Sequence, residues 1–225
     1  MAAARKTNWL AIWISAAVVV AIAVIAVLVV QMNRQALAGA ESPASAVVDE
    51  ATGAITFGDG ENVVEEYIDL FCPVCQRYHE GYSETVSDLV ADGEVTLKVH
   101  PISILDRYSQ GTEYSTRSAS AVYCVADENP DAVYPFIDLL FRNQPAEGST
   151  GLTDDELADY ASQAGAGGAA DCIAAGEYKD YVTKMTPETP VAPNAQGIGT
   201  PTVLLNDEFV SLSGDPQANI VDQLQ

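Results

Sequence analysis

The stretch that most constrains this chain is Tyr67-Ile68-Asp69-Leu70-Phe71-Cys72-Pro73-Val74-Cys75, an apolar run that ends in two cysteines with two residues between them. Val63 to Phe71 reads as a buried strand, and a helical pattern over 73–91 starts immediately after it. A cysteine at that junction sits at a helix N-terminus, where unpaired N–H groups and the helix dipole stabilise negative charge. Such a site lowers a thiol's pKa and enriches the thiolate, the nucleophile of disulfide exchange. Pro73 suits the first helical turn because it has no N–H to leave unpaired. The two-residue spacer lets Cys75 reach back and close a disulfide with Cys72. The chemistry indicated is dithiol–disulfide exchange.

Cys-x-x-Cys is also half of many zinc sites, and a structural zinc needs about four ligands. The chain has four cysteines and two histidines, His79 and His100. A set of Cys72, Cys75, His79 and one distant residue matches no common finger spacing, and the strand-then-helix context favours redox chemistry. No metal and no cofactor is expected.

The charge excludes some partners. Of 225 residues, 10 are basic and 32 acidic, and Arg5, Lys6 and Arg34 all precede residue 35. The remainder holds 7 basic and 32 acidic side chains, a net charge of −25. That surface repels nucleic acid and anionic lipid, so neither is an expected partner.

Leu10 to Val30 is 21 residues with Ser15 as its polar interruption, long enough to span a bilayer core. Arg5 and Lys6 before it, with Trp9 and Trp13 near its start, suit an N-terminus kept in the cytoplasm. A cleavable signal peptide is the rival, because Ala36-Leu37-Ala38 offers small residues of cleavage type. The apolar run exceeds a signal peptide's usual 7–15 or so residues, and Arg34 separates it from that site, so the uncleaved anchor is preferred. The division expected is a cytoplasmic terminus over 1–9, a membrane anchor over 10–31, a flexible linker over 32–53 and a folded domain over 54–225. Four cysteines in an exported domain suit an oxidising compartment.

Within the domain, Ala54 to Phe57 is a short strand candidate and Glu94 to His100 alternates as a strand. Glu65, Glu66 and Asp69 interrupt the buried strand, where a carboxylate is costly unless paired or functional. From Thr112 the period turns helical, with Thr112 as a cap for a helix through Ala126 and a second stretch ending near Asn143. Thr153 with Glu156 is a capping box opening a third helix, and Ala169 to Lys184 makes a fourth. This helical insertion spans about 107–185. Gly199-Thr200-Pro201 precedes the strand Thr202–Leu205, Asn206-Asp207 turns it into Phe209–Leu212, and Asp215-Pro216 starts a last helix.

That order, with Phe71-Cys72-Pro73-Val74-Cys75 at the first helix and Gly199-Thr200-Pro201-Thr202 before the third core strand, resembles the DsbA-like thioredoxin-fold family, in its membrane-anchored bacterial form. The resemblance covers roughly 54–225. It implies an α/β (α+β) thioredoxin fold with an inserted helical domain behind one transmembrane helix. It also implies a cis Pro201 beside the cysteine pair, with Thr200 offering backbone groups to an extended client peptide. A buried acid six residues before the nucleophile, here Glu66, is implied to work with a lysine of the neighbouring strand, here Lys98, in proton movement. Where the strongest oxidants of the family carry histidine between the cysteines, this chain has Val74, so a less oxidising pair is expected. His79, one turn beyond Cys75, is either a partial substitute or a surface side chain.

Cys124 and Cys172 lie 48 residues apart in the first and last helices of the insertion. Neither has a near partner, and similar exported relatives carry a second pair, so a structural bridge is expected; two buried free thiols are the alternative. The function expected is an extracytoplasmic, membrane-anchored thiol–disulfide oxidoreductase that introduces disulfides into exported clients through Cys72/Cys75. A membrane redox partner would reoxidise it. A reductase or isomerase on the same fold, or a non-catalytic zinc-holding module, are the alternatives.

Overall fold

The structure, a computed structural model, describes residues 9–37 and 39–224. The expected cytoplasmic terminus, with Arg5 and Lys6, lies outside the described residues apart from Trp9. Two compact units divide the chain, one ending at Gly39 and the other beginning at Ala40.

The first unit contributes a single described helix, α1 (Trp9–Leu37). Its segment Ile12–Met32 is 21 residues with a mean hydropathy of 3.0, long and apolar enough to cross a membrane. No acidic or basic residue falls within that segment.

The second unit holds strands β1 (Ile55–Phe57) and β2 (Asn62–Ile68), helix α2 (Pro73–Ala91) and strand β3 (Val95–Pro101). Helices α3 (Tyr114–Glu128), α4 (Val133–Arg142), α5 (Asp154–Ala164), α6 (Ala170–Ala175) and α7 (Lys179–Met185) follow. Strands β4 (Thr202–Leu205) and β5 (Glu208–Phe209) and helix α8 (Pro216–Asn219) close the chain. The sheet order is β1-β3-β2-β4-β5. β2 and β3 run parallel with α2 as their crossover, and the remaining pairings are antiparallel. This is a thioredoxin fold with α3 to α7 inserted between β3 and β4.

Burial along β2 alternates, so successive side chains face opposite sides of the sheet. One side meets α2, whose Tyr78, Tyr82 and Val86 join Val64, Leu97 and Val99 in the core. In the insertion, Tyr123 and Tyr181 meet edge to face at 5.2 Å. Cys124 and Cys172 are disulfide-bonded, joining α3 to α6. Thr153 and Glu156 form the capping box of α5.

Several expectations need correction. The stretch from Ala40 to Gly53, read as linker, belongs to the folded unit. Val48 is buried and bridges to Ile55, Ser45 N–H donates to Asp127 Oδ1 at 2.8 Å, and Tyr123 Oη donates to the Gly53 carbonyl at 2.7 Å. Small residues there permit close packing as readily as they permit flexibility. Thr112 does not cap α3, which begins after Glu113 in a left-handed conformation. The preceding turn caps it instead, Asp106 Oδ1 accepting Thr116 N–H at 3.0 Å. The helix expected over 169–184 is two helices, because Gly176 takes φ +62° and ends α6. The strand expected over Phe209–Leu212 is reduced to the pair Glu208–Phe209, across a turn in which Asn206 and Asp207 both adopt positive φ.

The Cys124–Cys172 bridge closes a 48-residue separation. By loop entropy it should contribute up to about 4 kcal/mol. Replacing both cysteines by alanine should lower stability by up to that amount in urea unfolding, while thiol exchange at Cys72 in the folded protein stays near the wild-type rate.

Candidate active site

The strand expected to reach Phe71 stops at Ile68, and the reason is Asp69. Its Oδ1 accepts the Phe71 N–H at 2.9 Å and its carbonyl accepts the Cys72 N–H at 2.9 Å, which bends the chain into a turn. Cys72 then stands as N-cap of α2 in an extended conformation, with Pro73 in the first turn. Gln144, after α4, donates to the Leu70 and Cys72 carbonyls at 2.9 and 3.1 Å. Gln76 Nε2 donates to the Phe141 carbonyl at 2.8 Å, so the insertion holds both sides of the cysteine motif.

Cys72 and Cys75 are free thiols, 5% and 0% exposed. The Thr200–Pro201 peptide is cis, and Thr200 lies against both sulfurs. The Cys72 thiol faces the Thr200 carbonyl at 3.6 Å, and Cys75 Sγ is 2.9 Å from Thr200 Oγ1. That hydroxyl donates to the Tyr67 carbonyl at 3.2 Å and accepts the Asp69 N–H at 3.1 Å. The hydroxyl contact favours the Cys75 thiolate and works against the larger, opposing effect of burial.

The two thiols are therefore unequal. A hydrogen bond from the Cys75 thiol, with the Cys75 and Val74 N–H groups, brings Cys72 down to about 7 against the opposing effects of burial and the Asp69 charge. Burial pushes Cys75 well above an ordinary thiol, and its hydrogen bond to Cys72 adds to that. Val74 is 47% exposed and offers the sulfurs no side-chain donor.

The expected Glu66–Lys98 pair does not form. The parallel register sets Glu65 beside Lys98 and Glu66 beside Val99. Because side chains alternate, Glu66 and Lys98 face opposite sides of the sheet. Lys98 reaches Glu65 at 3.5 Å, and Glu65 also accepts from Tyr67 Oη at 3.1 Å and lies 3.2 Å from His100 Nε2. The His100 hydrogen bond leads in holding Glu65 down at about 2. Glu66, 4% exposed, accepts from Tyr78 Oη at 2.6 Å, and burial raises it to about 7. His79 is neither a surface residue nor a donor to the sulfurs. Its ring is buried 4.9 Å from Phe141, with Nε2 3.5 Å from Asp138 Oδ1, and burial depresses its pKa.

Asp69 and Gln144 escaped the sequence reading as site residues. A buried acid in an apolar run was a visible signal for Asp69, whereas nothing local distinguished Gln144. Among the described residues no group of three His, Cys, Asp or Glu side chains is placed to hold a metal ion.

The raised Glu66 has a consequence for stability. Its folded pKa of about 7 exceeds the ordinary 4.5, so its contribution is complete below pH 4.5 and is lost as pH rises through 7. Glu66→Gln keeps an acceptor for Tyr78 and removes that titration. Urea unfolding across pH 4.5 to 8 should show a decline smaller than wild type by up to about 3 kcal/mol.

Comparison with known proteins gives a consistent setting. A family model described as thioredoxin matches residues 53–222. The oxidised crystal structure of DsbA from Mycobacterium tuberculosis is 32% identical with a TM-score of 0.66, over 75% of this chain and 90% of that one. The reduced form of a disulfide bond oxidoreductase, DsbG, from the same organism is 32% identical with a TM-score of 0.64, over 80% of this chain and 83% of that one. Serine/threonine-protein kinase PknE of M. tuberculosis is 35% identical over 156 residues, 64% of this chain. The match spans 27% of that kinase's length.

Proposed function

This chain belongs to the thioredoxin family, as a thiol–disulfide oxidoreductase of the DsbA and DsbG type, and from that premise we propose that it introduces disulfides into exported proteins through Cys72 and Cys75. The observation that carries the reading is the inequality of the two thiols. A sulfur whose thiolate is stabilised is the better leaving group and the better attacking group near neutral pH. Cys72 has that character, and Cys75 keeps its proton.

In the oxidising direction a client thiolate attacks Cys72 Sγ of the Cys72–Cys75 disulfide. The S–S bond breaks, Cys75 leaves as a thiolate and takes up a proton, and a client–Cys72 mixed disulfide forms. The client's second thiolate then attacks the client sulfur and expels the Cys72 thiolate. Two client thiols are oxidised and the cysteine pair gains two electrons, which a membrane redox partner must remove. Thr200, whose carbonyl lies beside the Cys72 sulfur, would pair through its backbone with the extended client, and cis-Pro201 would bound the docking site. In this reading Glu66, buried and bonded to Tyr78 of α2, is the group that exchanges the Cys75 proton, and Lys98 takes no part. Helix α1 anchors the protein in the membrane with the folded unit on the extracytoplasmic side.

A second reading, reductase or isomerase, is favoured by one observation. Val74, exposed between the cysteines, offers the sulfurs no donor, so backbone groups and the partner thiol acidify Cys72. The thiolate is then less stabilised, and the disulfide less oxidising, than in a motif with histidine at that position.

Equilibration against glutathione decides between them. The pair should settle between the potentials of DsbA, about −120 mV, and thioredoxin, about −270 mV. A potential at or below thioredoxin's sinks the oxidase and leaves the reductase. Cys72→Ser should abolish exchange, and Cys75→Ser should accumulate client mixed disulfides on non-reducing gels.

A further inference from the structure

Asp69 is 0% exposed, and its carboxylate is shared among three backbone donors from two segments. Oδ1 takes the Phe71 N–H at 2.9 Å, and Oδ2 takes the Ile104 and Leu105 N–H groups at 2.9 and 3.0 Å. The buried Ser115 side chain on α3 lies beside the carboxylate as well. Its main chain is engaged as well, through Thr200 Oγ1 and the Cys72 N–H. One residue thus joins the turn before Cys72, the segment after β3 and the loop of cis-Pro201. The titratable groups facing it are the Cys72 and Cys75 thiols, on the turn and on α2, and the Tyr114 phenol on α3.

We infer that Asp69 is a positioning residue for Cys72: its carboxylate fixes the turn that delivers the sulfur to the start of α2, and it ionises in linkage with that sulfur. The inference rests on reading Cys72 as the attacking sulfur. Two neighbouring anions disfavour one another in a site with little water, so neither group titrates independently. The Asp69 charge acts against the Cys72 thiolate, and burial lifts Asp69 itself to about 6, next to the value of about 7 for Cys72. When the thiolate forms, Asp69 holds its proton more firmly. When Asp69 is ionised, its oxygens bind the three N–H groups more strongly and the turn is held most tightly.

The test is the pH profile of Cys72 alkylation in the reduced, full-length protein in detergent. Iodoacetamide is the probe, and the Cys72 peptide is read by mass spectrometry from pH 4.5 to 9. The wild-type curve should be broader than a single ionisation. Asp69→Asn, which keeps an oxygen for Phe71 and removes the charge, should give one step displaced to lower pH. Alkylation at pH 6 should then rise roughly threefold, the effect of about half a pKa unit. A purely structural residue would change the rate without narrowing or displacing the curve. A wild-type curve as narrow as a single ionisation, or superimposable wild-type and variant curves, overturns the inference. Should the variant not fold, the wild-type curve alone decides. Exchange surviving in Cys72→Ser protein would remove the proposed function, a result independent of the breadth of the wild-type curve.

Discussion

The hydrogen bonds received by the buried carboxylate of Asp69 are the contact on which the rest of the site depends. An isolated carboxylate is expensive to remove from water unless donors replace its hydration. Here backbone N–H groups do so, two from the segment after β3 and one from the turn before Cys72. Satisfying one side chain thereby fixes where β2 stops, where α2 starts and where the insertion leaves the sheet. Thr200 is drawn into the same arrangement through the Asp69 N–H. The loop of cis-Pro201 is consequently held against the sulfurs from a point more than a hundred residues away in sequence.

The chemistry follows from asymmetry within that frame. Cys72 occupies the helix end, where N–H groups point at the sulfur, and Cys75 lies one turn inside, where burial dominates. The same helix thus acidifies one thiol and leaves the other a poor anion. Thr200 tempers the contrast, because its hydroxyl contact favours the Cys75 thiolate while burial, the larger effect, opposes it. Val74 projects outward without a donor, so Cys72 is acidified by backbone groups and by its partner thiol. Such a pair is less polarised than one with a histidine in the motif.

The insertion is more than a cover. Gln144 and the Phe141 carbonyl grip the motif from the end of α4, and the Cys124–Cys172 bridge ties the first helix of the insertion to α6. The segment 40–53 adds a further restraint, since Ser45 and Gly53 bond to side chains of α3. These contacts stiffen the scaffold behind the sulfurs, and a rigid scaffold keeps the geometry of an exchange site within narrow limits.

The sequence by itself determined the membrane-length helix, the Cys72–Cys75 motif at a strand–helix junction and the α2 boundaries at 73 and 91. Each rests on local physics: apolar length, an N-terminal proline, a helical period. The capping box at Thr153 was legible for the same reason. The partner of Glu66 was not, because register decides it, and a shift of one residue between β2 and β3 turns a side chain to the other face. Lys98 accordingly serves Glu65, and Glu66 finds Tyr78 on the helix above. The roles of Asp69, Gln144 and the 40–53 segment were equally hidden, since their partners lie from about 30 to more than 130 residues away along the chain. Tertiary structure alone brings such groups within hydrogen-bonding distance, and what the sulfurs can do depends on that approach.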